Sequence, residues 1–315
     1  DRTLYQTIEE ILIVLNDNHG FIEADAEFYD MVEEGDTQCD AKESEQALPE
    51  LGDFQLADLV SKHHLEEEFT KESWLLRWGK ISDGIGYIQI KSMWLYAKLS
   101  VSEELIQELG YVSAYVETFH QMYEGDYIES EVRAVSALME RVMADLSAYD
   151  QIVIDVRFNG GGQDAVSFEI LSHFLGEETH VASQKLKIEK GYTEHQKLTI
   201  EGLGNTYEKP VYVLTSPQTG SAAEAFSIAT LNIDHMHRMG SPTSGALSTA
   251  LEKKLPNGWD FAISNEVYMD TEGRVYENIG VPPDIELNYS RDRQTFFHSV
   301  ANDLTKDKEE ILNAI

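Results

Sequence analysis

The sequence predicts an α/β fold built around a parallel sheet, and two stretches carry that prediction. Residues 149–175, YDQIVIDVRFNGGGQDAVSFEILSHFL, run from a short apolar strand through a glycine turn into an amphipathic helix. Residues 209–228, KPVYVLTSPQTGSAAEAFSI, repeat that order with a turn rich in Ser, Pro and Gly. Successive βα units imply parallel strands with a site at their carboxyl ends.

Composition limits the classes of partner. The chain has 315 residues, which suffice for one large domain or two smaller ones. Its 57 acidic and 24 basic residues give a formal charge of −33, which argues against nucleic acid and anionic membrane surfaces. The single cysteine, Cys39, excludes an intramolecular disulfide and is interpreted as a bystander in an acidic loop. No apolar run is long enough to span a bilayer.

The first third of the chain predicts helices followed by the start of the sheet. Residues 3–15 place apolar side chains at helical spacing, and the polar cluster at 16–20 ends that helix. Residues 23–60 are acidic and predict a solvated segment with one or two short helices. Strand-like runs flank Ser82-Asp83-Gly84, which predicts a hairpin at the start of the core sheet.

The remaining elements follow the same local rules. Residues 98–130 contain a helical stretch, EELIQELGYVSAYVETFHQMY, and a longer helix, SEVRAVSALMERVMADLSAY, follows before the first βα unit. After the second unit, residues 251–269 contain strand-like runs around a Pro-Asn-Gly turn. A charged amphipathic helix is predicted from about residue 292 to the end, packed on the outside.

Ser221 stands where a strand turns into a helix, and two interpretations remain open. It is either an N-cap, completed as a capping box by Glu224, or a nucleophile whose following backbone N–H faces a developing oxyanion. On its own the capping interpretation is favoured. A nucleophile also requires a base, an orienting group and a second oxyanion donor.

The glycine turn, defined here as residues 159–162, NGGG, has three possible uses. Phosphate binding is disfavoured because the stretch lacks a Gly-Lys-Ser/Thr ending and a complete GxGxxG. The backbone N–H groups could instead form an oxyanion hole, or the turn could be purely structural. The presence of Ser221 favours the oxyanion hole over a structural turn.

Histidine and glutamate candidates are weak when taken singly. His19 lies in a helix-ending turn, where a histidine usually interacts with its own helix. Glu277 lies in a loop, where a glutamate is normally solvated. His63 and His64 beside three glutamates suggest a metal site, but adjacent residues do not face one another on a helix, so no metal is predicted.

Four motifs together resemble the tail-specific, or C-terminal processing, and tricorn-core family of serine peptidases. They are IVIDVRFNGGG at 152–162, VYVLTSPQTGSAAEAF at 211–226, GSPTSGA at 240–246 and GRVYENIGVPPDIEL at 273–287, in the family's order and spacing. LNDNHGF at 15–21 extends the resemblance to the N-terminus. The resemblance implies a crotonase/ClpP-like core of parallel βα units.

Departures from the family pattern indicate which branch of the family this chain resembles. The processing proteases use a Ser/Lys dyad, but Ala246 stands where that lysine aligns. The tricorn-like and retinoid-binding-protein-like branch carries a D-x-H motif and a late glutamate, which match Asp17-Asn18-His19 and Glu277. Asn18 replaces the serine that links histidine to glutamate in the tricorn core. A peptide-binding PDZ module is not expected, because the residues before the first core strand are few and acidic.

The resemblance implies acyl transfer without a metal or an organic cofactor. Ser221 would be the nucleophile, His19 the general base, and Glu277 the group that orients the imidazole, directly or through Asn18 or water. Gly161 and Ala222 would supply the oxyanion N–H groups, with Gly160 and Gly162 supporting the turn. Peptides or protein C-terminal tails are the implied substrates.

Three further expectations complete the interpretation. Residues 1–72 form a helical and acidic segment that supplies the base, 73–290 the peptidase core and 291–315 the C-terminal helix. Export to the periplasm or cell envelope is expected from the family alone, and the absence of an initiator Met is compatible with it. Two other functions remain open on the same fold, a non-catalytic module for hydrophobic ligands and a pseudoenzyme that binds protein tails. Oligomeric state, substrate identity and source do not follow from the sequence.

Overall fold

The computed structural model describes residues 2–24, 28, 50–71, 73–98, 101–121, 126–204 and 207–315. Cys39 and most of the acidic 23–60 segment therefore lie outside the described residues. The described helices, in chain order, are α1 Arg2–Leu15, α2 Asp53–His64, α3 Glu103–Leu109, α4 Tyr111–Gln121, α5 Tyr127–Leu146, α6 Asp164–Ser172, α7 Ala222–Ala229, α8 Arg293–Asn302 and α9 Leu304–Asn313. A 3₁₀ turn, Thr230–Asn232, follows α7.

Fourteen strands are described in the same part of the chain. They are β1 Phe21–Glu23, β2 Glu67–Glu68, β3 Leu76–Ser82, β4 Ile85–Ile90, β5 Gln151–Asp155, β6 Thr179–Ile188, β7 Gly191–Tyr192, β8 Gln196–Ile200, β9 Val211–Thr215, β10 Met236–Gly240, β11 Ala250–Lys254, β12 Asp260–Ser264, β13 Glu266–Met269 and β14 Ile285–Glu286.

The main sheet has seven strands in the order β14-β10-β9-β5-β4-β3-β2. From β14 to β4 all neighbours are parallel, while β3 pairs antiparallel with β4 and with β2. The predicted α/β fold with parallel βα units is therefore confirmed, as is the hairpin at Ser82. The register sets Val211 of β9 beside Ile152 of β5, so both strands end at the same edge and deliver their following turns there.

Two smaller antiparallel sheets flank the main one. β1, β12 and β11 form a three-stranded sheet, and β6 pairs with β7, β8 and β13. Because β1 pairs Phe21 with Ala262 directly after residues 16–20, this small sheet fixes where the N-terminal turn lies. Among the described residues, no helix combines the length and apolarity needed to cross a bilayer.

The C-terminal part differs from the single exposed helix that the sequence predicts. Asp303 adopts φ −148° and ends α8, then caps α9 by accepting a hydrogen bond from the Lys306 N–H at 3.0 Å. Phe296 and Phe297 of α8 are fully buried against Phe158, which follows β5. The two helices are thus part of the core. The amphipathic pattern alone did not predict that the two adjacent aromatic side chains of α8 are buried.

A buried ion network ties α9 to the carboxyl end of β5. Arg157 is fully buried and pairs with Asp155 and Asp307, each at 2.8 Å. His64 of α2 contacts the second oxygen of Asp307 at 2.9 Å. Burial raises the pKa of Asp307, but the Arg157 guanidinium and the His64 hydrogen bond outweigh it and lower the pKa to about 2.

This network predicts an acid-dependent loss of stability. A carboxyl whose folded pKa of about 2 lies below its ordinary value of 3.8 stabilises the fold above that ordinary value, and this contribution is lost as pH falls from about 4 toward 2. Asp307→Asn is expected to lower the free energy of unfolding at pH 7 by roughly 3 kcal/mol and to flatten its pH dependence in that window. Urea unfolding at pH 7 and pH 3 measures both. The exposed Asp234→Asn is the control, and an unchanged pH slope in Asp307→Asn would contradict the assignment.

Candidate active site

Ser221 lies in the turn between β9 and α7 with an unusual backbone. Its φ is 51° and its ψ −124°, a region that non-glycine residues rarely adopt and that costs energy. Its N–H donates to the Ala246 carbonyl at 3.0 Å, and its side chain does not cap the helix. Ser221 therefore occupies the N-cap position of α7 through its backbone carbonyl alone, and the capping box predicted with Glu224 is not formed, because the Ser221 side chain bonds no N–H of the first turn.

The glycine turn packs directly against Ser221. Gly161 has φ 116°, and a Cβ built on it would lie 2.6 Å from the Ser221 Cβ and 3.0 Å from the Ala222 nitrogen. The Gly220 N–H donates to the Asn159 carbonyl at 3.1 Å, which holds the two turns together. Backbone this close is possible only without a side chain at Gly161.

The N–H groups around Ser221 differ in availability. The Ala222 N–H, at the start of α7, donates to no acceptor among the described residues, and the same holds for Gly160 and Gly162. The Gly161 N–H, expected to be a bare donor, is instead taken by the Asn159 Oδ1 at 2.9 Å. The asparagine side chain folds back on its own turn, as Asx turns do.

The contact between Gly161 and Ser221 yields a prediction with a matched control. Gly161→Ala is expected to lower the activity of this site at least 100-fold, because its Cβ meets backbone and Cβ atoms that cannot move aside and its φ is positive. Gly160→Ala has nothing within 4 Å of the added Cβ and is expected to keep near-normal activity. Steady-state kinetics on one substrate compare the two, and equal losses would refute a specific role for the Gly161 contact.

The turn that carries His19 is fastened to the small antiparallel sheet. The Asp17 carboxylate accepts the Ser264 N–H at 2.7 Å, the Ser264 hydroxyl at 2.6 Å and the His19 N–H at 3.0 Å. These bonds outweigh partial burial and lower the pKa of Asp17, so the carboxylate form is stabilised. Asp17 is thus a positioning residue for the His19 turn.

The same turn reaches the loop that supports Ser221. The Asn18 Nδ2 donates to the Gly245 carbonyl at 3.1 Å, and Ser221 binds the next carbonyl, that of Ala246. The segment that carries His19 and the turn that carries Ser221 therefore contact one loop, although 202 positions separate the two residues in the chain. Asn18 takes this role through the loop backbone.

The His19 ring is partly buried, and burial and the Asp17 charge act on its pKa. Its Nδ1 is buried without a hydrogen-bond partner, and among the described residues the ring makes no hydrogen bond to Ser221 or Glu277. Burial lowers the pKa of His19, and the Asp17 charge offsets that only in part. The imidazole is consequently neutral near pH 7.

Glu277 holds the far end of the same loop. Its Oε2 accepts the N–H groups of Leu247 and Ser248, each at 3.1 Å, while its Oε1 is buried without a partner. Burial raises the pKa of Glu277 in spite of those two bonds. One carboxyl oxygen therefore binds the loop, and the other remains available to accept a hydrogen bond.

Glu224 is a residue of the candidate site whose contacts sequence reasoning missed. It is fully buried, and its carboxylate accepts four hydrogen bonds from the loop that carries Ala246. The donors are the Thr243 Oγ1 at 2.5 Å, the Ser244 Oγ at 2.7 Å, the Gly245 N–H at 2.8 Å and the Ala246 N–H at 2.6 Å. The signal was present as an acid in the first helical turn beside a Thr-Ser-Gly loop, but the capping-box interpretation assigned that acid to Ser221.

Comparisons with known proteins address the family and the fold. A family model described as peptidase family S41 matches residues 84–287. A crystal structure of a candidate peptidase from Parabacteroides merdae ATCC 43184 is 17% identical with a TM-score of 0.63, over 97% of this chain and 83% of that one. Mature CPAF is 14% identical with a TM-score of 0.54, over 85% of this chain and 60% of its own. At these identities the structural likenesses show the fold.

Proposed function

The chain belongs to peptidase family S41 and is a serine-type peptidase, and we propose that it cleaves peptide bonds through an acyl-enzyme formed on Ser221. The carrying observation is the strained Ser221 backbone, φ 51°, on a strand-to-helix turn beside the free Ala222 N–H. Strain of this kind persists where the surroundings enforce it, and it exposes a nucleophile at the end of a sheet.

The oxyanion is bound by backbone N–H groups of two adjoining turns. The Ala222 N–H lies at the start of α7, where the helix dipole adds to the attraction for a negative charge. Gly161, which contacts Ser221, is the second donor. When the oxyanion forms, the Gly161 N–H releases the Asn159 Oδ1 and donates to the oxyanion instead. Gly160 and Gly162 support that turn. Each donor contributes about 3 kcal/mol to transition-state stabilisation in comparable enzymes.

His19 is the general base in this proposal. Burial keeps its imidazole neutral, so it can accept the Ser221 hydroxyl proton as the alcohol attacks and then return it to the leaving amine. Its Nδ1 and the Glu277 Oε1 are both buried without partners. A ring that turns toward Glu277 satisfies both atoms, which is the orienting role assigned to Glu277, with Asn18 holding the turn in place.

Peptides, including protein C-terminal tails, are the proposed substrates. Acyl transfer of this type needs an extended peptide whose scissile carbonyl points between the glycine turn and α7. Water then hydrolyses the acyl-enzyme, with His19 acting as base a second time.

A fluorophosphonate probe tests the nucleophile and the base together. Peptide mapping is expected to find the label on Ser221, and His19→Ala is expected to slow labelling at least 100-fold. The exposed His63→Ala serves as the matched control. Labelling at another serine, or undiminished labelling in His19→Ala, would end the proposal.

The rate of labelling should depend on pH in a defined direction. Because burial lowers the pKa of His19, the neutral base persists below pH 6.5, and the rate is expected to fall only as pH drops through that lowered value. Measuring labelling from pH 4.5 to 8, alongside circular dichroism to confirm folding, gives the midpoint. A midpoint above 6.5 would contradict His19 as the titrating base.

A further inference from the structure

A cavity of about 510 Å³ lies between α5 and residues 73–75 and 95–98. We call it the basic groove and define it by Trp74, Lys98, Tyr111, Arg133 and Arg141, all of which line it and are exposed. It contains three of the 24 basic residues of a chain whose formal charge is −33. A concentration of cations against that background marks a surface that attracts anionic groups.

One face of α5 lines this groove. The residues that it contributes recur at helical spacing and include no acid: Ser130, Arg133, Ala134, Ala137, Leu138 and Arg141. The acidic residues of the same helix do not line the groove: Glu129, Glu131, Glu140 and Asp145. Small alanines between two arginines leave space for a bound chain beneath the guanidinium groups.

The groove cations are available to a ligand. Among the described residues, no carboxylate forms an ion pair with Lys98 or Arg141. Arg133 lies 3.5 Å from Glu129, but both side chains are about two-thirds exposed, and such surface pairs contribute little. A bound carboxylate therefore displaces no strong ion pair in the described surface.

Aromatic contacts connect the groove to the catalytic centre. Phe54 lines a cavity of about 480 Å³ together with Trp94 and the glycine turn. The Phe54 ring contacts Trp74 at 5.4 Å between centroids, and Trp74 contacts Tyr111 at 6.1 Å. This aromatic row leads from the turn beside Ser221 into the groove. Exposed aromatic rings of this kind pack well against an extended peptide.

We propose that the basic groove binds an acidic segment of the peptide substrate while the scissile bond lies against the glycine turn. The inference rests on the proposed peptidase function and adds its substrate class, peptides with several carboxylates on one side of the cleavage site. Arg133 and Arg141 are eight residues apart on α5, about 12 Å along the helix, which suits several side-chain carboxylates better than one terminal carboxylate. The overall charge of −33 repels a nucleic acid, which carries a charge on every phosphate, more strongly than a peptide with a few carboxylates.

Binding can be measured separately from catalysis. Two fluorescein-labelled peptides, Ala-Ala-Phe-Ala-Ala-Glu-Glu-Glu-Ala and its Gln-Gln-Gln counterpart, are titrated with full-length Ser221→Ala protein, and anisotropy gives Kd at low and high salt. The Glu peptide is expected to bind about tenfold more tightly at low salt, and the advantage should shrink at high salt. In Arg133→Gln/Arg141→Gln the advantage should disappear. Arg291→Gln/Lys306→Gln removes equal charge elsewhere and should keep it.

The aromatic row has its own readout. Trp74→Ala is expected to weaken both peptides by a similar factor and leave the Glu-to-Gln ratio unchanged, because it removes packing rather than charge. Equal affinity for the two peptides, or a similar loss in both double variants, would overturn the proposal. Tighter binding of a single-stranded oligonucleotide than of the Glu peptide would do the same. Absence of hydrolysis by wild-type protein with the Glu preference intact would instead refute the catalytic proposal alone.

Discussion

Replacement of Ser221 by alanine is expected to lower kcat/KM for peptide hydrolysis by at least about 10⁴-fold while leaving the protein folded. In the proposed mechanism the Ser221 alcohol forms the acyl-enzyme, so its removal withdraws the nucleophile itself. Its side chain makes no hydrogen bond that caps α7, so its removal withdraws no structural contact of that kind. Steady-state kinetics and thermal unfolding of the same preparations provide the two measurements.

The comparison requires a control serine and a clear contrary outcome. Ser299→Ala removes a hydroxyl that bonds only the Phe296 carbonyl within its own helix and should leave kcat/KM unchanged. Ser221→Gly should also be inactive, yet at least as stable as wild type, because glycine adopts positive φ without strain. Residual hydrolysis within tenfold of wild type in Ser221→Ala would mean that another group is the nucleophile.

Much of the core could be predicted because its signals are local. The strands at 152–156 and 211–214 are short apolar runs, and each is followed by a glycine-containing turn and a helix, so their pairing as parallel βα units follows from the chain itself. The C-terminal helices were less predictable. Phe296 and Phe297 contact Phe158, and Arg157 contacts Asp307, across more than 130 positions of sequence.

The residue types of the candidate site came from the resemblance to known motifs, but their contacts could not be predicted from the sequence. The resemblance to known motifs singled out Ser221, His19 and Glu277, but the bonds that gather their segments are long-range. Asp17 reaches Ser264, and Asn18 reaches Gly245, across more than 220 positions. No local pattern encodes such distances, which is why Asp17 had no assigned role.

Glu224 shows how a local rule can hide a tertiary role. The spacing S-x-x-E satisfies the capping-box pattern, yet the carboxylate turns away from Ser221 and into the loop of residues 243–246. Four donors converge on it, which no single helix end supplies. Glu224, in the first turn of α7, therefore positions the loop whose Ala246 carbonyl accepts a hydrogen bond from the Ser221 N–H.

Glu224→Gln is expected to destabilise the protein by about 1–3 kcal/mol and to lower activity in the remaining folded molecules at least tenfold. Each carboxylate oxygen accepts one hydroxyl and one backbone N–H. In the glutamine variant, an NH2 group replaces one of the two carboxylate oxygens. The Thr243 or Ser244 hydroxyl can rotate and accept a hydrogen bond from this NH2 group, but a backbone N–H cannot accept one. The N–H of Gly245 or Ala246 therefore faces another donor and loses its acceptor. A buried N–H without an acceptor costs about that much.

The two effects of Glu224→Gln separate because they have different origins. Urea unfolding reports the lost hydrogen bond, and kcat/KM at low temperature, where the variant stays folded, reports displacement of the Ala246 carbonyl from Ser221. Glu140→Gln changes an exposed glutamate on α5 in the same way and should alter neither quantity. If Glu224→Gln unfolds like wild type, the loop is held by contacts other than this carboxylate. If stability falls but activity per folded molecule does not, the loop supports the fold without positioning Ser221.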